Sequence, residues 1–287
     1  MLSKHETTSS TLSPGDYVVT NEMQRQKNIH ALELLQGSFG SEDTLDQQFL
    51  DVGCGTGDFT RDCLLPRCPP CRRIVAADVS EDMVQYAREH YAHPKICYDV
   101  LDIASEDVSD FIERHGQFDR VYSFFCFHWM RNQEQVLKNV ARLMKPGGGC
   151  LLFFNASSPT MRFRKIMTTM ERWQKYREIC ASCLPPTVDL EDKESLIAYI
   201  KGLLKAADLT PTTCEILRVE RTYSSLEHLI RTQMALNRLT TIVTEEERPL
   251  LLRDVTEQAT KWWAETEAGG SPLDGQAFLV HAFKPRS

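Results

Sequence analysis

The sequence predicts an α/β fold of the doubly wound kind. It calls for a mostly parallel, seven-stranded Rossmann-like sheet with an antiparallel edge strand and helical insertions that cap a substrate site. Three observations carry this. The stretch 49–60, FLDVGCGTGDFT, is a short apolar run that ends in an acid and breaks into three alternate glycines. From there to residue 155, apolar strand-like runs alternate with segments of helical period, the rhythm of a parallel sheet with crossover helices. Late in the chain, 213–222 and QAFLVHAF at 276–283 read as two strands that pair as an antiparallel edge.

In order, residues 1–16 are polar and read as a mobile tail, and 17–287 as one domain, with a core at 47–156 and a helical cap plus C-terminal strands at 157–287. Over 20–36, Met23, Ile29, Leu32 and Leu35 recur at roughly helical spacing, with Thr20 or Asn21 available as a cap. This helix is an addition ahead of the first strand. Helix 58–65 stops at Pro66, strand 73–78 leads to helix 80–91, and a short strand follows near 96–100. Strand 118–124, helix 132–144 ending in KPGGG, and strand 150–155 complete the alternation. Beyond it, 160–180 reads as one basic amphipathic helix, with further helices near 191–206, 225–238 and 245–265. That basic face suits a lid better than a membrane surface.

The glycine turn carries the chemistry. Gly53, Gly55 and Gly57 permit positive φ and close approach of backbone to a ligand, so the turn can cradle an adenosyl group at the start of the next helix. A dinucleotide fingerprint wants a third glycine three residues after the second, and Asp58 fills that place. An acid there repels phosphate and attracts a cation. S-adenosylmethionine is therefore favoured over a dinucleotide or a purely structural turn, and Asp51 belongs to the same constellation. Asp78, at the tip of the second strand and next to Val79, can accept from both ribose hydroxyls; it can also cap the helix that begins near Ser80. Asp102 and Ile103, just past the third strand, suit the adenine amine and ring face.

Composition excludes other classes. With 287 residues and 42% hydrophobic content the chain can bury one large core. A formal charge of −7 gives no basic footprint for nucleic acid. The start MLSKHETTSS is not a signal peptide and there is no long apolar run, so neither stable membrane insertion nor export is expected and a cytoplasmic location is. The ten cysteines are then reduced thiols. CPPC at 68–71 and CASC at 180–183 lie too far apart in sequence to make a ready zinc site, and no metal is expected.

The densest aromatic stretch, Phe124, Phe125, Cys126, Phe127, His128 and Trp129, follows the fourth strand, where open parallel sheets bind ligands. LDVGCGTGD, AADVSEDMVQYA, SFFCFHWM and LMKPGGGCLLFF together resemble the class I S-adenosylmethionine-dependent methyltransferases, and within them the arthropod juvenile hormone acid methyltransferases; NEMQRQ at 21–26 is similar to that family's start. The resemblance implies methylation of an isoprenoid or fatty carboxylic acid, of the farnesoic acid or juvenile hormone acid type, to its methyl ester. It implies that Gln24 and Trp129 hold the substrate carboxylate, and that Asp51, Gly53, Gly55, Gly57, Asp78, Val79, Asp102 and Ile103 hold the cofactor. Phe125, Phe127, Met170 and Trp173 are expected to line the tail's pocket; the alternative is ordinary core. A carboxylate is ionised at neutral pH and needs no general base. His128 would serve as that base if the substrate were a hydroxyl or amine. A paralogue that binds ligand without turnover is the third reading, opposed by the intact glycines and acids.

Overall fold

A computed structural model describes residues 14–15, 18, 21–35, 45–182, 184–220 and 223–286. Most of the expected tail, Thr20, Cys183 and the last two residues of the expected strand 213–222 fall outside these. Seven strands form one sheet: β1 (Gln48–Val52), β2 (Arg73–Asp78), β3 (Ile96–Val100), β4 (Phe118–Phe124), β5 (Met144–Ser157), β6 (Thr210–Val219) and β7 (Gly275–Phe283). The order is β3-β2-β1-β4-β5-β7-β6, with β7 antiparallel to both neighbours. The order reverses direction at β1, which pairs β2 on one side and β4 on the other, both in parallel. A crevice therefore opens beyond the carboxyl ends of β1 and β4, where open α/β sheets bind ligands.

Every residue of β1 is buried, as a strand covered on both faces requires. Alternation sends Leu50 and Val52 to a core shared with Val136 and Val140 and, from a later helix, with Leu196 and Ile200. Phe49 points the other way, into a core with Ala31, Leu32 and Leu35. These come from α1 (Glu22–Leu35), so the added helix covers the face of β1 from which Asp51 also projects. The buried row of α1 is Asn28, Ala31, Leu32 and Leu35; Met23, expected on the apolar stripe, is exposed.

The helices that alternate with the strands are α2 (Glu81–His90), α3 (Ser109–His115) and α4 (Gln133–Leu143). Between β1 and β2 the expected helix contains a π-helical turn, Thr60–Leu64, closed by Leu65 N donating to Thr60 O at 2.9 Å. The KPGGG segment is part of β5 and does not end α4 as a coil. The expected single helix over 160–180 is three pieces: α5 (Pro159–Thr169), a 3-10 segment Glu171–Tyr176, and α6 (Arg177–Ser182). Thr168 and Thr169 turn their hydroxyls back onto the carbonyls of Lys165 and Ile166, which competes with helix continuation. The break at Met170 lets Trp173 bury its ring and donate Nε1 to Asp254 at 2.8 Å, while Arg172 pairs with the same carboxylate.

α7 (Lys193–Ala206) packs beside α4, and α8 (Leu226–Ala235) and α9 (Arg248–Glu267) build the rest of the cap. The cap has its own core, including Phe163, Met167, Trp173, Leu229 and Leu251. Among the described residues no helix is long and apolar enough to cross a membrane. Leu32 is 1% exposed between α1 and the sheet, so Leu32→Ala is expected to lower the unfolding free energy by about 2–5 kcal/mol. Urea titration followed by circular dichroism checks this; a loss below about 1 kcal/mol would show that α1 is not packed as described.

Candidate active site

At the tip of β1 the chain turns with Gly53, Gly55 and Gly57 at φ +78°, +53° and +77°. Gly53 N and Cys54 N both donate to Ala77 O, at 2.7 and 3.1 Å, which ties the turn to β2. A Cβ on Gly53 would lie 2.4 Å from Cys126 Sγ, and one on Gly57 would lie 2.7 Å from the Tyr98 ring. Two of the glycines thus allow close approach by neighbouring chain, and Gly55 shares their positive φ. Its N–H donates to Asp78 Oδ2 at 2.9 Å, while Asp78 Oδ1 accepts from Ser80 N at 3.0 Å. Capping of α2 falls to Ser80, whose hydroxyl accepts from Met83 N. Asp78 is therefore oriented by two backbone donors, beside half-buried Val79; burial raises its pKa and those hydrogen bonds oppose the rise.

The other acids sit beneath α1. Asp51 Oδ2 accepts from Thr60 Oγ1 at 2.6 Å, and burial pushes its pKa up to about 7. Buried Asp58 accepts from Thr56 Oγ1 at 2.6 Å, from Asn21 Nδ2 at 3.3 Å, and from Arg25, with which it makes an ion pair. Asn21, Gln24, Arg25 and Asn28 of α1 and its cap face Asp51, Gly53, Cys54 and Asp58 across a narrow cleft that Phe59 and Phe124 also line. Gln24 is thus brought to the glycine turn.

Past β3, exposed Asp102 accepts from Ala104 N at 2.9 Å. Ile103 is 2% exposed and belongs to the main core; its carbonyl and that of Ser105 are held by Asn139 Nδ2 at 2.9 and 2.7 Å. Asn139 is buried on α4, and nothing in local sequence marks it as the brace of this loop.

The aromatic segment leaves β4 through Phe125, a non-glycine residue at φ +49°, whose N–H donates to Phe153 O at 2.6 Å. Such a conformation is strained and persists where the surroundings over-determine it. A 3-10 turn, Phe127–Trp129, follows. Phe127 is fully buried against Phe154, in the core. His128 is buried between Phe125 and Trp129, at centroid separations of 6.2 and 5.0 Å. Gln133 Nε2 donates to Phe127 O at 3.1 Å and its Oε1 accepts from Tyr199 at 3.0 Å, which locks the turn to α7. Trp129 remains 39% exposed, beyond the lining of the Gln24 cleft, with the Arg164 guanidinium 4.7 Å from its ring centroid. Met170 and Trp173 lie in the cap core, Trp173 with no exposed surface.

Residues 49–148 match the family model of a methyltransferase domain. Over 180 residues the chain is 36% identical to the juvenile hormone acid O-methyltransferase of Drosophila melanogaster, an alignment that spans 59% of this chain and only 57% of that protein. The protein of the same name from Bombyx mori is 28% identical over 222 residues, 77% of each chain. A putative methyltransferase from Bacillus halodurans shares the fold, with a TM-score of 0.55 at 16% identity over 91% of this chain and 99% of that one. Residues 49–148 are thus a methyltransferase domain by sequence, and the sheet has the fold of the Bacillus halodurans protein.

The chain's own geometry fits S-adenosylmethionine. The cleft is lined by Asp51, the Asp58–Arg25 ion pair, and Gly53 and Cys54 of the turn, so Asp51 is the acid left to meet the sulfonium or ammonium of the cofactor. Asp78 is a fixed acceptor at the tip of β2, held by two backbone donors, and Asp102 stands past β3. Asp78→Ala is expected to weaken S-adenosylmethionine binding by about 1.5–3 kcal/mol, the range for a charged hydrogen bond. Unchanged affinity by isothermal titration in a folded variant would refute the ribose role.

The elevated Asp51 pKa gives a second test. A carboxyl whose folded pKa stands near 7, against 3.8 ordinarily, favours the folded state below about pH 4, and that contribution is lost as pH rises through about 7. A cationic cofactor favours the ionised form, so its affinity should rise between about pH 6 and pH 8 with proton release on binding. Titrations in buffers of different ionisation enthalpy measure the protons released, and Asp51→Asn should flatten the dependence.

Proposed function

We propose that this protein is a carboxyl O-methyltransferase that converts an isoprenoid or fatty acid, of the farnesoic acid or juvenile hormone acid type, to its methyl ester. The observation that carries the reading is Trp129, an indole left partly exposed at the carboxyl end of β4, over which a buried arginine lies. A donor ring backed by a cation favours an anionic nucleophile. The similarity to the fly and silkworm proteins, both named for an acid substrate, supports the same class.

When bound, the cofactor supplies an electrophilic methyl carried on a sulfonium, so that ester formation releases S-adenosylhomocysteine and needs no proton transfer. The chain's residues then have three tasks. Gln24, on the helix that closes the cleft, and Trp129, on the braced 3-10 turn, orient the carboxylate through N–H donors. The strained Phe125 and the Gln133 bond to Phe127 O fix where that turn presents its rings. The cap's apolar side chains exclude water and hold the tail, each buried methylene contributing about 0.8 kcal/mol. Met170, half-buried on the cap, suits that tail; Phe127 and Trp173 act behind it as supporting core. The substrate partner is thus a small hydrophobic acid, and a cytoplasmic site of action accords with it.

Gln24→Ala and Trp129→Phe should each lower kcat/KM for farnesoic acid by about tenfold to a hundredfold, the loss of one donor to a charged group, while cofactor affinity barely changes. His128→Gln keeps a hydrogen-bonding group without a transferable proton and should retain most of the rate, with no ionisation in kcat near about pH 6.5. The opposite pattern, a large loss at His128 with Gln24 and Trp129 tolerant, would overturn the carboxylate reading in favour of a hydroxyl or amine. Cofactor binding without release of S-adenosylhomocysteine on any acid would mark a silent binder.

A further inference from the structure

The cap is built from apolar side chains, yet three polar ones are buried at one place in it. Gln233 on α8 is 1% exposed, and neither its Nε2 nor its Oε1 has a hydrogen-bond partner among the described residues. Asn237, four residues on and buried, uses Oδ1 to accept from Leu239 N at 3.0 Å, while its Nδ2 meets no acceptor among the described residues. Arg164 of α5, also buried, donates Nη2 to Leu236 O at 2.6 Å, which brings the guanidinium to the C-terminal end of α8, between Gln233 in its last turn and Asn237 just past it. The same guanidinium stands against the Trp129 ring.

Burying an amide with both ends unsatisfied costs stability, and a sequence built only for packing would place leucine or methionine at 233. The chemistry of the three groups is lopsided. Arginine offers only donors and a permanent positive charge, the orphaned Asn237 atom is a donor, and the Gln233 amide can turn its N–H₂ to the same point. Such a set matches an anionic oxygen group in an apolar surround. The position matches too, since the ring beside Arg164 is the one at the carboxyl end of β4, on the crevice side of the sheet.

We propose that Arg164, Gln233 and Asn237 form the carboxylate subsite of the cap, with Arg164 selecting acids over neutral molecules of the same shape. The inference rests on the carboxyl methylation reading and names the residues that make it specific. Arg164 acts through charge and through the Trp129 ring it supports, and is a positioning residue. Gln233 and Asn237 complete the donor set from α8 and the turn just past it, so that the carboxylate oriented by Gln24 and Trp129 also meets donors from the cap.

The test compares farnesoic acid with its primary amide, a neutral molecule of the same length, as ligands of the full-length protein saturated with S-adenosylhomocysteine. The wild type should bind the acid at least about tenfold more tightly than the amide. Arg164→Gln should weaken the acid by about thirtyfold, leave the amide within about threefold, and leave cofactor affinity unchanged, while Arg164→Lys restores part of the preference. Gln233→Leu should weaken the acid by about tenfold and raise the melting temperature, because a stranded amide is replaced by an apolar group. A purely structural arginine would lower acid and amide binding together.

An unchanged acid-to-amide ratio in Arg164→Gln, or a Gln233→Leu protein that melts lower with acid affinity intact, overturns the subsite. If Arg164→Gln does not fold, the Gln233→Leu arm decides alone. A wild type that methylates acids while these variants keep their preference defeats this inference and leaves the proposed function standing. A wild type that transfers methyl to no acid overturns both.

Discussion

The contact between Gly53 and Cys126 is the constraint on which the site depends. A side chain at 53 would overlap the Cys126 sulfur, so the tips of β1 and β4 can meet only through a glycine in the left-handed region. That meeting closes the floor of the crevice at the point where the strand order reverses. It also fixes the turn against Ala77, which aims Gly55 N at Asp78 and so orders the acid at the tip of β2. The aromatic segment inherits its direction from the same place, because it begins at residue 125 beside the contact. A shift of the turn would displace the acids of the cleft and the rings beyond β4 together.

Much of this is legible in the sequence because it is local. The apolar run before Asp51, the glycine spacing and the acid after the second strand all lie within short windows whose backbone demands are set by residue type. The order of strand and helix through residue 155 follows for the same reason. The antiparallel edge is also readable, since β6 and β7 each carry an uninterrupted strand-like run and pair along most of their length.

The parts that are not legible depend on partners distant in sequence. The break in the 160–180 segment is held by Asp254, which takes the Trp173 indole and the Arg172 guanidinium from far along the chain. No period in the segment itself announces that. Asn139 and Gln133 look like solvated or interior helix residues, yet each holds a loop of the site by its amide. Met23 is apolar but faces outward, because the 3.6-residue period sets it off the helix face that carries Asn28, Ala31, Leu32 and Leu35. Phe127 and Ile103 draw attention by their position in the sequence, and both side chains are interior, packed into the main core behind the crevice.

The ion pair between Arg25 and Asp58 has a thermodynamic corollary. One wall of the cleft is a helix that precedes the sheet in the chain and is fastened over it by a patch of apolar side chains and this latch. Docking of the helix and occupancy of the cleft are therefore linked functions: a ligand that touches both walls draws the docked population towards unity, and its apparent dissociation constant is the intrinsic one divided by the docked fraction. Screening the latch with salt, or neutralising either partner, would then register as weaker cofactor affinity without alteration of any atom that meets the cofactor. The amino-terminal helix is, in this sense, a part of the binding constant.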